Sequence, residues 1–442
     1  MTSIQNGRRM ARASTRAGRV RGVAVTVATL AALAALAAAC NSNDLLDVDT
    51  PASVPVGLID DPKNATLMVN SAVGDFECAL GSMIAVEGII SDELADAQLG
   101  AAAWPYDRRD ANVQTNGSYG TNSCTSNQTP GIYNPLSTAR WDADHALKNL
   151  NTWTDAEVPN RQALIAKAAV YAGFSYALMG MAFCEAAFDL GPQVDQAGMF
   201  KLAEERFTTA ITAAQASQQT TMLNAAYVGR ARVRLFLNNK AGAAADAQLV
   251  PKGFALTASN DASDNRLYNR IYAITQQFGF YTIEDLSRDL KTEKGESDPR
   301  SAVKQVATRP ADAKATIFVP NKYAAGDAAP TPIATYQEAQ LILAEAQGGA
   351  AAVTAINGLR ATAGLQAYTG PTDAASIQAL IIDERRRALF LEGFRNYDMQ
   401  RFNLPFNPAV GAPFPLKGGA YGNTRCLPLP DVERFNNPNI KS

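Results

Sequence analysis

The sequence predicts a mainly α fold: a scaffold of tetratricopeptide-like helix pairs that carries long irregular loops. Apolar side chains recur every three to four residues in several long segments, which is the period of a packed helix. Small residues cluster where two successive helices must approach closely, as they do in a tetratricopeptide pair. The alternation of strands and helices that is typical of an α/β sheet is not visible in the sequence.

The N-terminus, residues 1–39, is predicted to be an export signal. Residues 1–21 contain six arginines and no acid, and residues 22–39 are uniformly small or apolar, the order of a signal peptide. The run ends in Leu36-Ala37-Ala38-Ala39-Cys40, which resembles a bacterial lipoprotein box with its leucine one place too early. We predict cleavage and lipidation at Cys40. An uncleaved membrane anchor is the alternative, since the run is about long enough to span a bilayer.

The charge balance favours uncharged ligands. The chain has 40 basic and 42 acidic side chains, a net charge of −2. Removal of residues 1–39 takes away six arginines and no acid, leaving 34 basic and 42 acidic side chains and a net charge of −8. An acidic protein is a poor match for nucleic acid, so neutral sugars or peptides are the favoured ligands over polyanions.

Four cysteines remain if Cys40 is lipidated: Cys78, Cys124, Cys184 and Cys426. In an exported protein an even number of widely spaced cysteines predicts up to two disulfides, with three possible pairings. Simple buried thiols are the alternative, and the spacing gives a zinc site little support.

The helical scaffold is predicted to occupy residues 60–98, 137–250 and 334–402. Asp61-Pro62 has the chemistry of a helix start. Further helices are predicted by periodicity and by glycine or proline breaks at 161–188, 199–216, 224–237, 241–249, 335–347, 350–361 and, as one long helix, from about 373 to 402. Six prolines between 405 and 430 preclude helix there, so residues 403–442 are expected to be an irregular C-terminal segment.

Two segments, 100–135 and 251–333, are predicted to be ligand-carrying loops. In the first, Gly, Asn, Ser, Thr and Pro surround aromatic side chains, and a loop of this length is unusual for mere connection. Flat rings can stack on the apolar C–H faces of sugars, while amides and carboxylates bind hydroxyls. The predicted ligand-binding residues are therefore Trp104, Tyr106, Tyr119 and Tyr133, with Trp141 as a weaker candidate; packing inside the loop is the alternative role for each.

Catalysis and metal binding are not predicted. Glu384 and Glu392 would stand about 12 Å apart along one helix, too far for glycoside hydrolysis, and neighbouring arginines would lower both pKa values. Opposite charges three or four residues apart predict structural ion pairs instead, among Glu392, Arg395, Asp398 and Arg401 and between Asp383 and Arg387.

The single histidine, His145, lacks companion ligands and is expected to be a packed or surface residue. Asp261 and Asp264 lack the spacing of a calcium loop and are expected to be solvated.

Several pieces of the chain, taken in order, resemble one family. They are Cys40 with Leu46-Asp47 and Pro51; Asp298-Pro299-Arg300; Lys322-Tyr323; Tyr336-x-Glu338-Ala339 with residues 341–346; Ile356-Asn357-x-x-Arg360 with 363–365; Glu384-Arg385-Arg386 with residues 389–402; and 427–430 with Asn437-Pro438. This order resembles the SusD/RagB family of Bacteroidota-type outer-membrane nutrient-binding lipoproteins.

The resemblance implies one SusD/RagB-like domain over residues 40–442, with no enzymatic activity, cofactor or metal. It implies a lipid-anchored protein on the outer face of the outer membrane. Such a protein binds glycans or other oligomeric nutrients and delivers them to a SusC-like TonB-dependent transporter. Two alternatives stay open: an envelope tetratricopeptide-like adaptor that binds only proteins or peptides, and an envelope hydrolase.

Overall fold

The computed structural model describes residues 59–98, 104–111, 118–307, 316–414 and 418–440. The predicted signal peptide, 1–39, and the predicted lipid acceptor, Cys40, lie outside the described residues. From Asp60 onward the chain forms one compact unit.

The predicted mainly α class is confirmed. The first half of the chain contains α1 (Ala65–Ile90), α2 (Trp104–Asp107), α3 (Ser118–Thr121), α4 (Tyr133–Thr152), α5 (Arg161–Ala182), α6 (Gln196–Ser217), α7 (Thr220–Phe236) and α8 (Lys240–Ala247). The second half contains α9 (Arg270–Tyr272), α10 (Tyr336–Gln347), α11 (Gly349–Thr362), α12 (Ala374–Ala388), α13 (Arg395–Arg401) and α14 (Asp431–Asn436).

Short strands accompany the helices. They are β1 (Leu94–Asp96), β2 (Glu185–Ala187), β3 (Gln193–Asp195), β4 (Ala255–Ala258), β5 (Tyr281–Ile283), β6 (Val303–Val306), β7 (Ile317–Pro320) and β8 (Thr331–Thr335). They pair antiparallel as two-stranded ribbons, β1 with β5, β2 with β3, β4 with β8 and β6 with β7. These ribbons brace the loops between the helix pairs.

Two predicted helix boundaries are wrong. The long helix expected to reach residue 402 is interrupted, because Leu391 (φ 54°) and Gly393 (φ 80°) adopt left-handed backbone, which cannot continue a right-handed helix. The helix expected to reach residue 188 ends at Ala182, because the chain leaves it to form β2.

The helices pack through small residues, as predicted. A Cβ on Gly173 or Gly229 would lie 2.7 or 2.3 Å from the ring of Phe207, and one on Gly180 would lie 2.5 Å from the ring of Phe200. Real side chains do not approach so closely, so the phenylalanines of α6 fill space that only glycine leaves on α5 and α7.

Helix α5 is apolar enough and, at 22 residues, long enough to cross a membrane. Its most apolar 18-residue window is 89% buried inside the protein. Its hydrophobicity is therefore accounted for by its place in the helical core.

Two disulfides resolve the open cysteine pairing. Cys78 bonds Cys124 and Cys184 bonds Cys426, with Cα–Cα distances of 5.6 and 5.1 Å; the alternative of free buried thiols is wrong. The second disulfide fixes the C-terminal segment, which was expected to be irregular but contains α14; there the Leu427 N–H also donates to the Ala182 carbonyl at 2.8 Å.

Buried ion pairs join α12 to its neighbours, which confirms the predicted structural role of these charges. Glu384 is fully buried and accepts from Arg300 at 2.6 Å and from Arg360 and Arg387 at 3.0 Å. Removal of one partner from such a buried network is strongly destabilising. Glu384 is thus held as a structural acceptor.

The predicted pairs within one helix hold in part. Asp398 and Arg401 pair at 2.8 Å, and Asp383 pairs with Arg387. Glu392 and Arg395 find other partners, Lys322 and Asp92 respectively. The reason is the break near residue 391, which removes the helical spacing between the two halves.

Candidate functional site

The three loop tyrosines are not on the surface. Tyr106, Tyr119 and Tyr133 are each 0% exposed, so their rings do not have the solvent-facing position that stacking on a sugar requires. The side chain of Trp104, at the start of α2, lies outside the described part of the structure. In this conformation the three tyrosine rings cannot stack on a ligand.

Hydrogen bonds and ring packing explain why the tyrosines lie inside. The Tyr106 hydroxyl donates to the Pro130 carbonyl at 2.9 Å. The Tyr133 hydroxyl donates to the Ala187 carbonyl at 3.3 Å, and its ring meets Phe183 edge-on at 5.0 Å. Because the surrounding loop residues are small and polar, these rings supply the apolar bulk that the segment buries.

Among the described candidate side chains of this region, Trp141 is exposed. It lies in the middle of α4, and 45% of its surface is accessible to solvent. One face of its ring stacks on the His145 ring, with centroids 4.6 Å apart and planes 9° from parallel. The opposite face is left as a flat apolar surface, the shape that stacks on a sugar ring.

Trp141 belongs to a row of side chains along one face of α4. Asn134, Thr138, Trp141, His145 and Asn149 are spaced by four, three, four and four residues, so they share one helix face over about 22 Å. We call this set the α4 row. Within the described residues, the side chains of Asn134 and Thr138 make no hydrogen bond, so they can meet the hydroxyls of a ligand.

A polar cleft of about 260 Å³ opens at the N-terminal end of the α4 row. Its lining is rich in amides and hydroxyls and includes one acid and one base: Asp75, Thr121, Asn122, Ser123, Cys124, Asn134, Pro135, Thr138 and Arg266. Trp141 lies one helical turn beyond Thr138. The cleft and the exposed ring therefore adjoin.

The wall of the cleft is rigid. The Cys78–Cys124 disulfide attaches the loop to α1. The Asn122 amide donates to the Thr129 carbonyl at 2.8 Å, and Gly131 lies so close to Asn122 that a Cβ would come within 1.9 Å of its carbonyl oxygen. Only glycine fits at this crossing.

Two carboxyl groups meet at the edge of the cleft. Asp75 pairs with Arg266 and hydrogen bonds to Asp142 of α4. Burial, followed by the neighbouring Asp75, raises the pKa of Asp142 to about 7. A proton held between the two carboxyls lets them lie side by side at this edge.

Two acidic residues of the second loop segment hydrogen bond to the backbone. The Asp261 and Asp264 carboxylates accept backbone N–H bonds from Ser263 at 2.6 Å and Arg266 at 2.9 Å, as turn-forming acids do. In the part of the chain that the structure describes, His, Cys, Asp and Glu side chains do not group in threes to hold a metal ion.

Two further cavities open between helix ends. One, of about 330 Å³, is lined by Phe254, Tyr336 and Leu359, and the other, of about 500 Å³, by Ile377, Ile381 and Phe402 among others. Their aromatic side chains are half-buried. Neither presents a free ring face as Trp141 does.

The sequence analysis made Trp141 a weaker candidate than the four aromatics Trp104, Tyr106, Tyr119 and Tyr133. The signal that could have identified it is the spacing of the α4 row, where polar side chains and one tryptophan share a face. The buried tyrosines carried no comparable signal, since a ring in a polar loop can face either way.

The chain is similar to known proteins in both sequence and fold. The model of the SusD family matches residues 252–425. No curated protein matches the chain. Among solved structures, a SusD-like carbohydrate binding protein from Bacteroides vulgatus is 13% identical with a TM-score of 0.63, covering 86% of this chain and 97% of its own.

Two other structures are similar to the same extent. A laminarin binding SusD-like protein is 17% identical with a TM-score of 0.62, covering 86% of this chain and 98% of its own. A SusD superfamily protein, also from Bacteroides vulgatus, is 15% identical with a TM-score of 0.60 over 86% and 98%. The predicted resemblance to the SusD/RagB family is confirmed, and the fold is SusD-like; the α4 row lies outside the matched residues 252–425.

Proposed function

We propose that this SusD-like chain is an outer-membrane lipoprotein that binds glycans at Trp141 and the adjoining cleft and delivers them to a SusC-like TonB-dependent transporter. The observation that carries the binding site is the exposed Trp141 ring, supported on one face by His145 and followed by a polar cleft. The site binds and orients a ligand, and no chemical step is assigned to it.

The chemistry of the site favours a neutral sugar. The ring offers an apolar face for the C–H groups of a pyranose, and Asn134 and Thr138 offer an amide and a hydroxyl for its hydroxyl groups. Among the described lining residues the one arginine, Arg266, is already paired with Asp75, which disfavours selection of a polyanion.

Binding is tested with the full chain in mild detergent, against soluble laminarin, maltohexaose and a casein digest as probes. We expect a glycan to bind, and Trp141→Ala to weaken that binding at least about tenfold, which corresponds to about 1.4 kcal/mol. Tyr119→Phe is the matched control, since it alters a buried ring and should leave affinity unchanged. Equal binding by wild type and Trp141→Ala would move the site elsewhere.

Anchoring and delivery are separate tests. Metabolic labelling with a fatty acid should mark the wild type but not Cys40→Ser, and protease added to whole cells should degrade the wild type if it faces outward. Cross-linking in the outer membrane should recover a TonB-dependent transporter. An unlabelled wild type would support the uncleaved-anchor alternative.

The adaptor alternative makes the opposite prediction. If the chain binds only proteins or peptides, the casein digest should bind and both glycans should not. Trp141→Ala should then leave the binding of laminarin and maltohexaose at the same negligible level.

A further inference from the structure

The ring of Trp141 has a built support. An indole on the exposed face of a helix can change rotamer, and a ligand that immobilises it must offset the lost entropy. In this chain one ring face is already covered by His145, in parallel stacking at 4.6 Å. The free face is therefore presented in one orientation before any ligand arrives.

The ring of His145 is itself fixed. Its Nε2 lies 2.6 Å from Oδ1 of Asp60, and the Asn149 amide donates to the same oxygen at 2.8 Å. Because a carboxylate only accepts, Nε2 carries a proton and donates it. The bond holds the imidazole plane, and through it the plane of the indole.

Asp60 is fixed in turn by the capped turn that follows it. It is the first residue of the folded unit, and the next residue, Asp61, caps the short turn at 62–64 by accepting the Lys63 N–H at 2.9 Å. Proline at the first position of that turn sets its backbone. The cap thus holds Asp60, Asp60 holds the His145 ring, and the His145 ring holds the Trp141 ring.

We propose that Asp60 and His145 are positioning residues that hold the Trp141 ring ready for ligand. The inference rests on the proposed function for its ligand, but its geometric part concerns the free protein. Loss of the support should weaken binding by freeing the ring, without removing any atom that touches the ligand.

The experiment uses full-length protein in mild detergent and two measurements. Acrylamide quenching of Trp141 fluorescence, obtained as the difference from Trp141→Phe, reports the ring without ligand. Laminarin affinity by calorimetry reports the consequence. The variants are Asp60→Ala, Asp60→Asn, His145→Ala and His145→Phe, with Asp289→Ala as a control at an exposed acid that pairs only with Lys291.

We expect Asp60→Ala and His145→Ala to increase quenching and to weaken laminarin binding about three- to tenfold. Asp60→Asn keeps an acceptor for Nε2 and should restore both readouts, whereas His145→Phe keeps a flat ring without the bond and should restore them only in part. Asp289→Ala should equal the wild type.

The quenching and affinity results together decide whether Asp60 and His145 position the Trp141 ring. Unchanged quenching in both alanine variants overturns the positioning role, whatever laminarin does. If quenching increases but laminarin affinity is unchanged, the support exists but does not serve binding, and the inference is overturned. The same holds if quenching increases but Trp141→Ala does not affect laminarin binding. If Trp141→Ala binds laminarin more weakly but Asp60→Ala behaves as the wild type does, the inference is overturned and the proposed function stands.

Discussion

The loop segment 104–135 and the exposed face of α4 contrast in where they place their aromatic rings. Tyr106 and Tyr119, and Tyr133 at the first position of α4, are completely buried, whereas the middle of α4 exposes Trp141. The Tyr106 and Tyr133 rings are anchored by hydroxyl bonds to backbone carbonyls and Tyr119 packs against Phe183, whereas the indole is anchored by a stacked neighbour. The difference teaches that an irregular segment can act as wall and core for a site whose platform is regular helix.

The largest effect on stability should come from the loop side of this contrast. Tyr106→Ala should lower the free energy of unfolding by about 3–5 kcal/mol, because it empties a buried ring site. Tyr106→Phe should cost only about 1 kcal/mol, the loss of one hydrogen bond. Chemical denaturation measures both, and glycan affinity per folded molecule should be unchanged in Tyr106→Phe; a tenfold loss of affinity there would return the loop tyrosines to the binding site.

Loss of the disulfide that joins the loop to α1 should come next. Cys78→Ser with Cys124→Ser should cost about 2–4 kcal/mol and also weaken glycan binding, because Cys124 lines the cleft. The matched control is Cys184→Ser with Cys426→Ser, which should lower stability while leaving affinity intact. If removal of either disulfide reduced glycan affinity equally, the loss of affinity could not be attributed to the cleft.

A smaller effect should follow from crowding the cleft wall. Gly131→Ala places a Cβ against the Asn122 carbonyl, and overpacking of this kind costs about 1–3 kcal/mol. Asn122 lines the cleft, so affinity should also fall. Gly358→Ala, in the exposed part of α11 with nothing within 4 Å of the added Cβ, should be neutral or stabilising; the melting temperatures of the two variants give the comparison.

The smallest effect should come from the carboxyl pair on the helix side. The pKa of Asp142 is about 7 in the folded protein and ordinarily 3.8, so the native state holds a proton that the unfolded chain has lost between these values. The contribution of Asp142 to stability therefore falls as pH rises from about 4 to 7. Asp142→Asn should flatten that slope, with a gain below about 1 kcal/mol at pH 8. Asp155→Asn, on an exposed acid, should keep the wild-type slope; an unchanged slope in Asp142→Asn would refute the shared proton.

Local chemistry was sufficient for most of the scaffold. Apolar periodicity and small residues located α5, α6, α7 and α10, and Gly229 marks a close approach that the structure contains. Sequence order gave the resemblance to the SusD/RagB family. The interruption near residue 391 was missed: Gly393 is a local signal for a helix end, but the left-handed backbone of Leu391 leaves none and persists only where the surrounding packing enforces it.

By itself, the sequence determined the helical class, the family resemblance, the even set of cysteines and the structural use of the charges around Glu384. Only the tertiary structure decided which cysteines pair, which aromatic rings face solvent, and that Asp60 reaches His145 across 85 residues. The physical reason is the distance along the chain over which each interaction acts. Helix formation and charge spacing act over a few neighbouring residues, whereas burial of a ring depends on which distant segment covers it.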